Sequence, residues 1–98
     1  MNLQQLIEKT RTYRRFDSTH AVSADTLVSL VDLARLSASG ANRQPLKYIL
    51  VTDPSQRETI YPCLAWAGYL TNWEGPDPME RPSAYIVILG DKEISESF

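Results

Sequence analysis

The run Ala84-Tyr85-Ile86-Val87-Ile88-Leu89, bounded by Pro82 and Gly90, constrains this chain most. No polar residue interrupts it to mark a wet face, so it predicts a strand buried on both sides. A second segment, Leu46 to Thr52, is rich in aromatic and branched side chains and also reads as a strand. Two strands do not make a stable sheet by themselves. The sheet is therefore expected to be completed by further sequence, by a partner chain, or by both.

Helices are predicted between these strands and ahead of them. Leu3, Leu6 and Ile7 share a face behind a capping Asn2, giving a short helix to about Thr10. Arg11 to Ala21 has no period and reads as a connector. Ser23 to Ser37 carries the clearest helical signal. Ser23 is an N-cap, Asp25 complements the macrodipole, and Leu27, Leu30, Val31 and Ala34 form an apolar stripe. Asp53-Pro54-Ser55-Gln56 opens a third helix, with the cap at Asp53 and proline in the first turn; Pro62 is expected to bend or end it. Trp66 to Pro82 is a long irregular segment, of the kind that is either a functional loop or disordered. The order helix, helix, strand, helix, loop, strand gives an α+β (α/β-like) class, in one domain over residues 1–98.

Composition narrows the function classes. Hydrophobic residues make up 43% and charged residues 22%, which argues against disorder. A net charge of -2 disfavours nucleic acid and acidic membranes as partners. No apolar run is long enough to span a bilayer, and the N-terminus lacks a signal-peptide pattern. The single cysteine, Cys63, forms no disulfide within the chain and belongs to no zinc spacing, so a cytoplasmic protein without a metal is expected. Cys63 reads as a small buried residue, and His20, just ahead of the helix cap, as exposed.

Two polar constellations can carry chemistry. In Arg11-Thr12-Tyr13-Arg14-Arg15, guanidinium groups three residues apart with a hydroxyl between them suit a phosphate. The same string also reads as a solvated basic patch between two helices. In Ser37-Ala38-Ser39-Gly40-Ala41-Asn42-Arg43-Gln44-Pro45, small residues admit a flat ligand to the backbone. Asn42 and Gln44 supply amides that both donate and accept. A plain helix-to-strand turn uses the same residue types. In the long loop, Trp66, Tyr69 and Trp73 can stack on a planar substrate or anchor the loop to the core or to a partner subunit.

Taken in this order and spacing, the two constellations resemble a known family. Arg11-Thr12-Tyr13-Arg14-Arg15-Phe16 resembles the N-terminal motif of FMN-dependent nitroreductases. Ser39-Gly40-Ala41-Asn42-Arg43-Gln44-Pro45 resembles their second motif, which precedes the first core strand. The resemblance implies a nitroreductase-type sheet flanked by helices, of which this chain is the N-terminal part. It implies that Arg11, Thr12 and Arg14, with Tyr13 in the same string, bind the FMN phosphate and ribityl chain. Ala38, Ser39 and Asn42 would border the isoalloxazine, with Gln44 nearby. Trp66, Tyr69, Asn72 and Trp73 would lie on the substrate side, Asn72 within reach of the flavin. It further implies an intertwined homodimer with FMN at the subunit interface. Hydride would pass from NADH or NADPH through flavin to a nitroaromatic, quinone or similar acceptor, with no catalytic side chain required. The chain departs from the commonest pattern at Thr10, Ala38 and Leu46. The competing expectations are a non-catalytic flavin- or ligand-binding module, an inactive fragment, or a different flavin reaction such as dehalogenation.

Overall fold

The computed structural model describes residues 1–96. Its sheet has two strands, β1 (Leu46–Val51) and β2 (Tyr85–Gly90), paired antiparallel. The register sets Tyr48 opposite Ile88, Ile49 opposite Val87 and Val51 opposite Tyr85. These branched and aromatic cross-strand pairs are the ones that stabilise a ladder most. One bond beyond the sheet extends it: the Asp91 amide donates to the Pro45 carbonyl at 2.7 Å.

Three helices accompany the ribbon, as the α+β class requires. α1 (Leu3–Lys9) is closed by a reciprocal capping box, in which Asn2 and Gln5 each bond the other's backbone amide at 2.9 Å. α2 (Ala24–Arg35) starts where Ser23 accepts from the Thr26 amide, and it packs along β1. α3 (Pro54–Ile60) is capped by Asp53, which accepts from the Ser55 amide at 2.8 Å. Pro62 then forces the chain into a 3-10 turn, Tyr61–Cys63. None of these helices is long and apolar enough to cross a membrane, among the described residues.

The core is where the structure corrects the expectation. Leu27 (4% exposed) and Val51 (3%) are the buried core hydrophobics among the described residues, with Pro76 buried in the loop. β2 was expected to be covered on both faces. It begins one residue later than the apolar run, and it is half-buried at its start and exposed at its end, with Ile88 60% open. The reason is that nothing lies over the distal half of the ribbon. Leu30, on the predicted inner stripe of α2, is 49% exposed for the same reason, and Leu3, Leu6 and Ile7 of α1 are all uncovered. Cys63, expected inside, is exposed at the end of the 3-10 turn, its thiol 3.8 Å from the Thr59 carbonyl oxygen.

The exposed area measures this incompleteness. The chain presents 8154 Å² to solvent. A compact monomer of its 11.1 kDa mass would present about 5,700 Å². The radius of gyration is 15.9 Å, against about 12.6 Å for a compact domain of this length. The surplus, on the order of 2,500 Å², is what a large obligate interface buries.

Two features make testable demands. Gly75 sits at φ +120°, and a Cβ there would lie 3.0 Å from both Trp66 Cδ1 and the Tyr61 hydroxyl. Gly75→Ala is expected to cost about 1–3 kcal/mol, read as a lower urea midpoint by tryptophan fluorescence; an unchanged midpoint would show that the loop is not held by this contact. Asp53 is held below its ordinary value of 3.8 by hydrogen bonds from the Ser55 side chain and backbone. Its folded form therefore binds protons less readily than its unfolded form. The cap's contribution is complete above the unfolded value and disappears as pH falls through the folded one. Below about pH 4 the melting temperature of the wild type is expected to fall more steeply than that of Asp53→Asn, and parallel curves would show that the cap is not charge-dependent.

Candidate functional site

The connector after α1 and the end of the long loop are stitched together by their backbones. The Phe16 amide donates to the Glu80 carbonyl at 2.7 Å, and the Ser18 amide to the Met79 carbonyl at 3.1 Å. This pairing aligns the basic string with the loop tip. Between them opens a cleft of about 680 Å³, lined on one side by Thr12 to Arg15 and on the other by Tyr69 to Trp73. Its size is that of a small-molecule site.

Charge in this cleft is unevenly matched. Arg15 reaches Glu80 at 3.8 Å, an exposed pair of small energetic weight, and its guanidinium lies 5.7 Å from the Trp73 ring centre. Arg14 has no hydrogen bond or ion pair with any described residue. Its charge and fork of donors remain available to an anion. Arg11 stands apart from the cleft lining and folds back to donate to the Thr10 carbonyl at 2.7 Å.

An aromatic stack supports the loop side. Trp73 meets Trp66 edge-on, with ring centres 6.3 Å apart, and Trp66 meets Tyr61 at 5.9 Å. The Tyr61 hydroxyl donates to the Pro76 carbonyl at 3.2 Å, which pins the loop, and Arg81 lies 3.9 Å from the far face of Tyr61. Trp66 therefore works as an anchor behind the cleft. Tyr69, Asn72 and Trp73 reach the lining, and Tyr69 is wholly exposed.

The second constellation forms a separate cleft of about 700 Å³ at the end of α2. Ala38, Ser39 and Gln44 line it, together with Arg43 and Tyr48. Asn42 does not: its side-chain oxygen accepts from Gln44 Nε2 at 3.0 Å, while the Gln44 amide donates to the Ser39 hydroxyl at 3.1 Å. Ala41, Asn42 and Gln44 adopt φ values of 53°, 54° and 49°. Three non-glycine residues in the left-handed region store strain of the kind that collects where loops hold ligands. No residue lines both clefts; Arg14 lines the first, and Asn42 lines neither.

Arg15, Thr71 and Arg43 were absent from the expected site residues. Arg15 and Arg43 were visible inside the two motifs, and their charge was the available signal. Thr71 had none. His20 is exposed and lies against a shallow apolar pocket with Phe16 and Leu27. Among the described residues no three His, Cys, Asp or Glu side chains gather into a metal-binding group.

The Nitroreductase family profile matches residues 7–84 of this chain, which include both motifs and the whole aromatic loop. The chain is 28% identical over 91 residues to the oxygen-insensitive NADPH nitroreductase of Helicobacter acinonychis, covering 93% of this chain and 40% of that protein. Its counterpart from Helicobacter pylori is 33% identical over 57 residues, 58% of this chain and 27% of that protein. The major NAD(P)H-flavin oxidoreductase of Aliivibrio fischeri is 30% identical over 59 residues, 60% of this chain and 27% of that one. The chain thus spans between about a quarter and two fifths of the length of these relatives.

The aromatic stack carries the cleft's loop wall. Trp73→Leu removes the edge contact to Trp66 and the surface under Arg15, and is expected to cost roughly 1–2 kcal/mol. Urea unfolding followed by Trp66 emission measures it, and an unchanged midpoint would mean that the loop is held by its backbone bonds alone.

Proposed function

We propose a function from one premise: the chain belongs to the nitroreductase family. In this reading it forms part of a cytoplasmic, homodimeric FMN oxidoreductase that uses NAD(P)H to reduce an electron-poor acceptor such as a nitroaromatic or a quinone. One observation carries the reading: Thr12, Arg14 and Arg15 face Asn72 and Trp73 across a single cleft, with Arg14 uncommitted.

The donor set fits the cofactor. A phosphate dianion calls for forked cationic donors and a neutral hydroxyl, which Arg14, Arg15 and Thr12 supply. A ribityl chain and ring edge call for donors and acceptors together, which the Asn72 amide offers. When bound, FMN supplies the two-electron chemistry between nicotinamide and acceptor. The chain's own residues hold, orient and cover. Trp73 and Tyr69 present apolar faces beside the cleft mouth, where a planar acceptor can be sandwiched and water excluded.

The second cleft enters through assembly. Its small residues, with the Gln44 amide that Asn42 holds in place, suit the edge of a flat ring. The two clefts share no lining residue, and in this reading one FMN meets both sets across a subunit interface, the basic string from one protomer and the Ser39–Gln44 turn from its partner. The uncovered apolar surface of α1, α2 and the ribbon supports such an assembly.

Arg14→Ala is expected to weaken FMN binding about 10- to 150-fold, equivalent to roughly 1.5–3 kcal/mol, measured by quenching of flavin fluorescence. Unchanged affinity would remove the phosphate assignment. Wild-type protein that stays colourless after FMN is added would remove the flavin reading altogether. Flavin binding without NADH consumption in the presence of a nitroaromatic would leave a binding module.

A further inference from the structure

A third cleft, behind the loop and away from both motifs, has a charge pattern that the flavin reading does not use. It is formed where α3 passes under the end of the loop, and it measures about 290 Å³. Arg57 from α3 and Arg81 from the segment leading into β2 both line it, as do the hydroxyl-bearing Ser18 and Tyr85. Arg57 and Arg81 form no ion pair and make no hydrogen bond through their side chains with any described residue. Two guanidinium groups thus line one small space without a direct partner, although Glu58 shares the lining and Asp53 lies within electrostatic reach of Arg57.

Unsatisfied polar atoms belong to both of these arginines. Among the described residues, three buried side-chain nitrogens or oxygens have no partner: Arg57 Nε, Arg81 Nε and Trp66 Nε1. All three are donors, and all belong to the group around Tyr61, which Arg81 and Trp66 stack against and which lines the same cleft as Arg57. Native proteins rarely leave buried donors empty, and a cluster of them marks a missing acceptor. Arg81 is already oriented, because its plane rests on Tyr61 and that ring is tied to the Pro76 carbonyl. The carboxylates nearby do not supply the acceptor. Glu58 lines the cleft and pairs with neither arginine, and Asp53 is taken up by Ser55.

We propose that Arg57 and Arg81 form a second oxyanion site, distinct from the Thr12–Arg15 cleft, that takes a phosphate group. Phosphate is favoured over carboxylate by geometry. One carboxylate offers two oxygens in a single plane, a shape matched by one arginine fork. A phosphate offers three or four oxygens in a tetrahedron and engages two forks at once, with oxygen left for the Ser18 and Tyr85 hydroxyls. The small volume suits a phosphoryl headgroup. The group can arrive as free phosphate or as the phosphate of a nucleotide, and the two sources share this chemistry.

The test reads the orphaned atoms directly. In a proton–nitrogen correlation spectrum of the protein, the Nε–H signals of Arg57 and Arg81, identified by their loss in Arg57→Gln and Arg81→Gln, are followed as inorganic phosphate is added. Both are expected to shift along one saturating curve, and Arg57→Gln is expected to weaken the curve seen at Arg81 by about tenfold or more. Arg57→Lys keeps the charge and should recover part of the loss. A parallel titration with ADP separates the sources: tighter binding than phosphate points to a nucleotide, equal binding to the free ion. The proposal is overturned if both signals drift without saturating, as that of exposed Arg35 should, or if Arg57→Gln leaves the Arg81 curve unchanged. In Arg14→Ala the curves are expected to persist, so this site and the flavin site fail or stand separately.

Discussion

The antiparallel pairing of β1 with β2 is the constraint on which the rest of this structure depends. It joins segments 34 or more residues apart and buries Val51, which with Leu27 makes the aliphatic core of the described residues. It also places the end of α2 beside the ribbon and returns the long loop to the connector after α1. Every other long-range tie is weaker: two backbone bonds at Phe16 and Ser18, an aromatic stack, and exposed ion pairs. A ribbon of two strands does not supply a core by itself. The chain consequently holds its local elements well and its apolar surface poorly. The excess of exposed area over a compact monomer expresses the same fact in square ångströms.

The local elements were legible in the sequence because their signals are local. Ser23 and Asp53 cap helices because a side-chain oxygen next to free amides needs no tertiary context. Pro62 ends α3 for reasons internal to its own ring. Burial was legible only in part, because it depends on what lies opposite. Ala84 to Leu89 has the composition of a covered strand, yet cover must come from atoms beyond this ribbon. Cys63 follows the same logic: a residue type common in cores lies at an exposed helix end. The left-handed backbone at Ala41 and Gln44 carried no sequence signal, since neither residue favours it; only Asn42 does.

The candidate site divides along the same line. Both motifs were visible as strings, and each forms a cleft. That Thr12 to Arg15 would face Tyr69 to Trp73 depended on backbone bonds between residues more than sixty apart, which no string encodes. The pairing of Asn42 with Gln44 likewise depended on an unusual turn. Arg57 and Arg81 escaped notice because neither belongs to a motif. They became conspicuous only when two charges and three orphaned donors were found around one tyrosine.

The open flanks of the ribbon have a further consequence. Each strand has a ladder partner on one side only, and Lys47 is the only charged residue in either strand. An unpaired strand edge is a template for any other extended segment, and charged residues are the usual guard against it. With a single lysine in that role, the outer flanks of β1 and β2 are open to pairing with another extended segment.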